Sequence, residues 1–409
     1  MYLVVGHCRA VTSPRALGWA MECRDRRSAG DKVTSRERVT AALEGREVDS
    51  TPVAPYFWGA EYSWKLLGMP LWEVLHGPGD MAMAVIDAID RRHGPDWITQ
   101  THASSGMLVG KECVGEDATC VRFVDQATGE EYVFHKEGHW LLPTAEIGMA
   151  CLDHGAPAAD PPDSREEADD WLRRHCPHVF REPSPAAAGR ALRERFPDRF
   201  LCGNVPPPFA GVAYPMGFEP TMVLLQRNPS LCAYMIERLL CHLPECLRGL
   251  AAQGCDGIMM VDSWASADIM SPDTYANWIA PLHRMVSDQA HAAGLKSIMY
   301  NTGNLLPLLP CITSLGFDAI SFEERIKGVE MDIADMRRLA GPEICLFGNF
   351  DAYLLLAGNR QRIRDQVRRQ LEAGGPRAFV MGTGSPVCDA TDPAVVDFWF
   401  DLLRGREPL

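Results

Sequence analysis

Two acidic residues stand directly behind apolar stretches, where lost hydration favours the protonated carboxyl that a general acid needs. Asp262 follows Ile258-Met-Met-Val261 and Glu323 follows Ile320-Ser-Phe322, while Asp351 is a third carboxylate at a strand end, in Asn349-Phe-Asp351. Plainer readings stand beside these: Asp262 as the cap of the next loop, Glu323 as the partner of Arg325 or Lys327, and Glu324 as a residue turned outward by strand alternation. Aromatic, amide and hydroxyl side chains recur at matching places: Tyr56 and Trp58, His102, Asn204, Trp264, Tyr300 and Asn301, Asn349, and Ser385 with Cys388 just beyond. Aromatic walls with a few polar groups suit a neutral or weakly charged organic ligand. Asp262, Glu323, Tyr300 and Asp351 are therefore the catalytic candidates, and Tyr56, Trp58, His102, Asn204, Trp264, Asn301, Asn349 and Ser385 are the substrate-binding ones.

Metal-like spacings carry less weight. His135-x-x-x-His139 contains Gly138 and follows a strand pattern, so it lacks the helix that brings i and i+4 ligands together. His175-Cys-Pro-His178 has no second pair nearby, and Cys241, His242 and Cys246 fall on an apolar helix. Cys388 is the single weak metal candidate. Gly382-x-Gly384 alone reads as a tight loop rather than a phosphate cradle.

The elements that position these residues alternate strand and helix. Thr34-Ser-Arg-Glu37 is a capping box that opens a helix ending at Gly45. Strand patterns follow at Val53–Phe57, Asp96–Thr101, Phe200–Val205, Gly257–Asp262, Leu295–Asn301, Asp318–Glu323, Ile344–Asn349 and Ala378–Gly382. The clearest helix starts at Ser271-Pro272 and ends at Gly294. Eight such units predict an α/β fold of the (β/α)8 TIM-barrel type, with the polar residues above gathered at the carboxyl ends of the strands. An open doubly wound sheet is the alternative, but no Gly-x-Gly-x-x-Gly follows an early strand. Residues 1–33 are expected to be a flexible N-terminal extension and 34–409 a single barrel domain. An insertion at about 107–195 lies between the second and third strands, with a hairpin at Thr128-Gly129 and two charged helices.

The chain has 409 residues, 40 Lys and Arg against 54 Asp and Glu, and a net charge of −14, which argues against a nucleic-acid binder. No apolar run approaches the length of a membrane span. Fourteen cysteines scattered through apolar segments read as reduced thiols of a cytoplasmic protein rather than a disulfide framework.

The order of several short motifs resembles the uroporphyrinogen decarboxylase superfamily, which includes the methylcobalamin:coenzyme M methyltransferases. Ser35-Arg-Glu-Arg-Val39, Asp49-x-x-Pro52-Val53, Gly254-Cys-Asp256, Ser271-Pro-x-x-Tyr275, Gly303-Asn304, Gly316-Phe-Asp-Ala-Ile320, Gly348-Asn-Phe-Asp351 and Gly382-Thr-Gly384 carry it. The resemblance implies a barrel with its site at the mouth, often dimeric, and adds Tyr214 as the match to a site tyrosine. It also implies two departures. The zinc-binding branch has His, Cys and Cys where this chain has Tyr300, Thr302 and Ser385, so a zinc-activated thiol is not expected. The porphyrinogen decarboxylases have arginines after the first strand, where this chain has Pro55-Tyr-Phe-Trp-Gly-Ala-Glu61 and then Lys65. The leading expectation is therefore a corrinoid-linked methyltransferase or demethylase. A carboxylic acid would protonate the group that leaves a small methyl donor. Cobalamin would serve as co-substrate, a corrinoid carrier protein would be the partner, and no tightly bound cofactor is required. Decarboxylation of a small organic acid and a non-catalytic ligand-binding barrel are the alternatives.

Overall fold

The computed structural model describes residues 33–57, 59–77, 81–99, 108–136, 140–143, 160–176, 187–326 and 328–409. Its centre is a curled sheet of seven parallel strands. β1 (Trp97–Thr99) pairs with β6 (Phe200–Val205), and β7 (Gly257–Val261), β8 (Lys296–Asn301), β9 (Ala319–Phe322), β12 (Cys345–Phe347) and β13 (Phe379–Val380) follow in turn. The segment Pro52–Phe57 joins the two ends of this sheet. Ala54 N donates to Met381 O and Met381 N to Pro52 O, each at 2.8 Å, while Asp96 N donates to Val53 O at 2.8 Å. Eight extended segments thus run round a ring, in the order expected from the strand patterns.

Both faces of these strands are buried, and they bury different things. Trp97, Phe200, Met259, Ile298, Ala319 and Phe347 form an inner cluster, whereas Ile258, Met260, Met299, Ile320 and Leu346 pack among the surrounding helices. The helix Ala280–Ala292 behind β8 shows how the sequence shapes this outer layer. Ser271 caps the helical segment by accepting from Thr274 N at 3.1 Å, but the expected single helix is interrupted by a π-helical turn at Tyr275–Ile279. Pro281 has no N–H to close the normal bond and its ring crowds the preceding turn, which explains the widened spacing.

The insertion between β1 and β6 is larger than a hairpin. β2 (Lys111–Glu116), β3 (Cys120–Asp125), β4 (Glu131–His135) and β5 (Trp140–Pro143) make a four-stranded antiparallel sheet. The predicted hairpin joins β3 to β4, with Asp125 Oδ1 accepting from Ala127 N and Thr128 N, and Gly129 at φ +74°. Phe123 and Phe134 bury one face of this sheet, and the Phe123 ring meets Trp72 edge-on at 5.0 Å. The two charged helices are Arg165–His175, capped by Ser164, and Ala187–Arg195. A short hairpin, β10 (Arg325–Ile326) and β11 (Val329–Glu330), stands on the end of β9. Among the described residues, no helix is long and apolar enough to cross a membrane.

Candidate active site at the carboxyl ends of the strands

The face of the strand on which a residue lies decides which of the expected side chains meet. Along β7, Met259 and Val261 belong to the inner layer and Ile258 and Met260 to the outer, so Asp262 continues the outer series. The same alternation puts Tyr300 inward and Asn301 outward on β8, and sends Asn204 inward beyond Phe200 and Cys202. Tyr56 packs against the inner cluster.

Asp262 is accordingly fully buried away from the mouth. Its Oδ1 accepts from Ala210 N at 2.8 Å and its Oδ2 from Phe209 N at 2.9 Å, while His283 Nε2 stands 2.8 Å from Oδ2. Backbone N–H groups only donate, so both oxygens are committed as acceptors. Asp262 thus braces the Phe209 and Ala210 amides on the helix side of the sheet and does not face a ligand at the mouth, contrary to the expected role as proton donor. Asn301 is likewise withdrawn: its Nδ2 donates to Ala265 O at 2.7 Å, bracing the loop after β7. Asn349 braces the loop after β9, donating to Met331 O at 2.6 Å and Glu323 O at 3.4 Å and accepting from Gln370 Nε2 at 2.9 Å. Asp351 caps the helix Ala352–Ala357 through Tyr353 N at 2.9 Å.

What converges is a smaller set. The Tyr300 hydroxyl donates to Gly384 O at 2.9 Å and lies 3.5 Å from Glu323 Oε1. Burial pushes its phenol well above the usual range, and Tyr56 stacks on its ring at 6.0 Å. Ser385 Oγ donates to Glu324 Oε1 at 3.4 Å. Glu324 is the member that the strand pattern led away from. Alternation applies only inside a strand, and β9 ends at Phe322, so both glutamates turn toward the loop after β13. Gly384 makes the socket: a Cβ there would collide with Glu324 Oε2 and lie 2.8 Å from Glu324 N. Burial pushes the Glu324 carboxyl up to about 7; its own backbone N–H opposes this next most strongly, the negative charges of Asp351 and Glu323 add to the rise, and Ser385 opposes it least.

On the rim, Trp264 meets Tyr214 edge-on at 5.2 Å and Phe218 at 5.3 Å. Cys388 Sγ lies 3.6 Å from Thr391 Oγ1, and Thr302 Oγ1 donates to Ser263 O at 2.9 Å. Among the described residues, no three His, Cys, Asp or Glu side chains are grouped to hold a metal ion. Trp58 and His102 lie outside the described residues. A cavity of about 1240 Å³ opens at the opposite end of the strands, but charges that line it, such as Arg36 on Asp256 at 2.6 Å and Lys296 on Asp318 at 3.3 Å, are already paired.

The family model described as uroporphyrinogen decarboxylase (URO-D) matches residues 153–406. The uroporphyrinogen decarboxylase of Saccharopolyspora erythraea is 32% identical over 199 residues, 46% of this chain and 52% of that protein. That of Streptomyces coelicolor is 29% identical over 178 residues, 43% and 47% of the two chains. The chain therefore spans about half the length of these curated relatives. With the enzyme of Trichodesmium erythraeum the match extends over 273 residues at 27% identity, 64% of this chain and 74% of the other. Among solved structures, a methyltransferase from Methanosarcina mazei aligns with 92% of this chain and 99% of its own, at a TM-score of 0.66 and 19% identity, a likeness of fold.

Proposed function

This chain belongs to the uroporphyrinogen decarboxylase family, and from that premise we propose that it removes a methyl group from a small organic donor and passes it to a corrinoid co-substrate. Glu324 carries the reading. A carboxyl held at about 7 is half protonated at neutral pH, so it can give a proton and recover it from water within one turnover. As the bond between the methyl carbon and the donor's oxygen breaks, the electron pair stays on oxygen and takes the Glu324 proton. A reduced corrinoid, brought by a separate carrier protein, supplies the electron pair that accepts the methyl group. Tyr300 holds the Gly384 carbonyl and so fixes the wall against which Glu324 rests, while the partly exposed Tyr56 offers a ring face to the donor.

The charge of the site argues against an anionic donor. Glu323, Glu324 and Asp351 stand together, and among the described residues the main charges acting on Glu324 are the two neighbouring carboxylates. The segment after the first strand offers Lys65, whose Nζ reaches Thr391 O at 3.5 Å. A porphyrinogen with many carboxylates would meet repulsion here instead of pairing.

A second reading has one observation in its favour, the name shared by the curated relatives. Decarboxylation of a small acid would use Glu324 to protonate the carbanion left by carbon dioxide. Incubation with cob(I)alamin and guaiacol, anisole or another neutral methyl ether separates the two. Methylcobalamin is expected from at least one donor, with loss of roughly 10²-fold or more in Glu324→Gln. Carbon dioxide release from an organic acid without corrinoid, and no methylcobalamin from any donor, would reverse the order.

A further inference from the structure

The buried group that the chemistry above leaves unused is Asp262, together with the two side chains behind it. The helix Pro208–Met216 begins with Pro207 and Pro208 and has no side-chain cap of its own. Its amides at Phe209 and Ala210 are satisfied instead by Asp262, more than fifty positions away in the chain. His283 Nε2 meets the same carboxylate at 2.8 Å, and the Tyr275 hydroxyl meets His283 Nδ1 at 3.0 Å. One tautomer satisfies every atom: Nε2–H donates to Asp262, and Nδ1 accepts from Tyr275. Both His283 and Tyr275 are fully buried.

The same helix is held a second time near its other end. Tyr214 is 47% exposed, its hydroxyl meets the Ser263 side chain, and its ring meets Trp264. Ser263 and Trp264 directly follow Asp262 in the chain. Residues 208–213 and 216 are buried, so the helix presents chiefly Tyr214 to the rim. We infer that Asp262, oriented by His283 and Tyr275, is a positioning residue that fixes the helix Pro208–Met216 and thereby sets Tyr214 and Trp264 as one aromatic wall of the mouth. The loop beyond is braced from β8 by Thr302 on Ser263 and by Asn304 N on Asp268, so the wall is rigid on both sides. Tyr214 matters to catalysis only if the mouth is the methyl-donor site proposed above, whereas its placement by Asp262 can be read without any substrate.

Hydrogen exchange and hydroxyl-radical footprinting of the full chain, without ligand, make that reading. In Asp262→Asn the amides of 209–214 and 216 are expected to exchange about tenfold faster and Tyr214 to be oxidised about twofold faster, the scale of one lost charge-assisted hydrogen bond and a ring freed to full exposure. The helix Arg360–Gly374, across the barrel, should be unchanged. His283→Gln keeps a donor for Asp262 and an acceptor for Tyr275 and is expected to match the natural protein, whereas His283→Leu should reproduce Asp262→Asn. The His283 pair decides the matter if Asp262→Asn does not fold. Equal acceleration over the whole chain, unchanged Tyr214 in Asp262→Asn and His283→Leu, or identical behaviour of His283→Gln and His283→Leu would overturn the inference.

Discussion

Asp262 and Glu324 are both acidic residues delivered by barrel strands to the same end of the molecule, and their surroundings are opposite. Asp262 sits on the helix side of the sheet, with two amide donors and a histidine on its oxygens. Glu324 sits beyond its strand, with its own backbone N–H, one long bond from Ser385 and two acidic neighbours, and its carboxyl is pushed up to about 7. Burial alone therefore does not make an acid. The number of donors aimed at a carboxylate, and the sign of the nearest charges, decide whether burial anchors a loop or stores a proton.

The largest effect of breaking this contrast is expected at the anchored carboxylate. Asp262→Ala removes the acceptor of two buried amides and a buried histidine, and should cost about 3–5 kcal/mol in denaturant unfolding. Glu324→Gln should do the reverse. A carboxyl whose folded value lies above its usual 4.5 contributes stability that is complete below about 4.5 and is lost as pH rises through about 7. The variant should therefore gain on the natural protein by about 2–3 kcal/mol at pH 8 and by almost nothing at pH 4. Thermal melts at the two pH values read the difference.

Gly384→Ala comes next. Its Cβ would collide with Glu324 Oε2 and crowd Glu324 N, so the carboxyl should leave its socket and its titration should fall from about 7, which a pH profile of activity would register. Asp351→Asn is the gentlest change, because asparagine caps a helix as well as aspartate does. It should leave the melting temperature almost unchanged and lower the Glu324 midpoint, through loss of one nearby charge.

Away from the mouth, Tyr62 and His93 form another buried pair, with the Tyr62 hydroxyl 2.7 Å from His93 Nε2 and the partly exposed Asp397 3.0 Å from His93 Nδ1. Burial lowers the His93 imidazole. Its contribution to stability is present above the ordinary histidine value of about 6.5 and is lost as pH falls below it. Stability should therefore decline on the acid side through His93 and on the alkaline side through Glu324, and His93→Gln should flatten only the acid limb.

The strand ends were readable because each pairs a short apolar run with a polar residue. Which face that polar residue occupies was not readable, for a physical reason. Strands buried on both sides show no alternation: Ile258, Met259, Met260 and Val261 are equally apolar whether they face the inner cluster or the helices. Asp262 and Asn301 were therefore grouped with Tyr300 although the sheet separates them. Glu324 was hidden because its socket is made by Gly384, sixty residues away, and no local pattern records that contact. In the insertion, the turn chemistry at Asp125 to Gly129 marked one hairpin, whereas β2, with Lys111-Glu-Cys-Val-Gly-Glu116, has too little apolar character to read as a strand. The π-helical turn did leave a signal, Pro281 inside an otherwise regular stripe.

The proposed chemistry turns on the protonation of one side chain. Carbon-13 NMR of glutamate carboxyls, with Glu324→Gln used for assignment, follows that group directly through a pH titration. A midpoint near 7 for Glu324 is the predicted result, and a midpoint near 4.5 would contradict it.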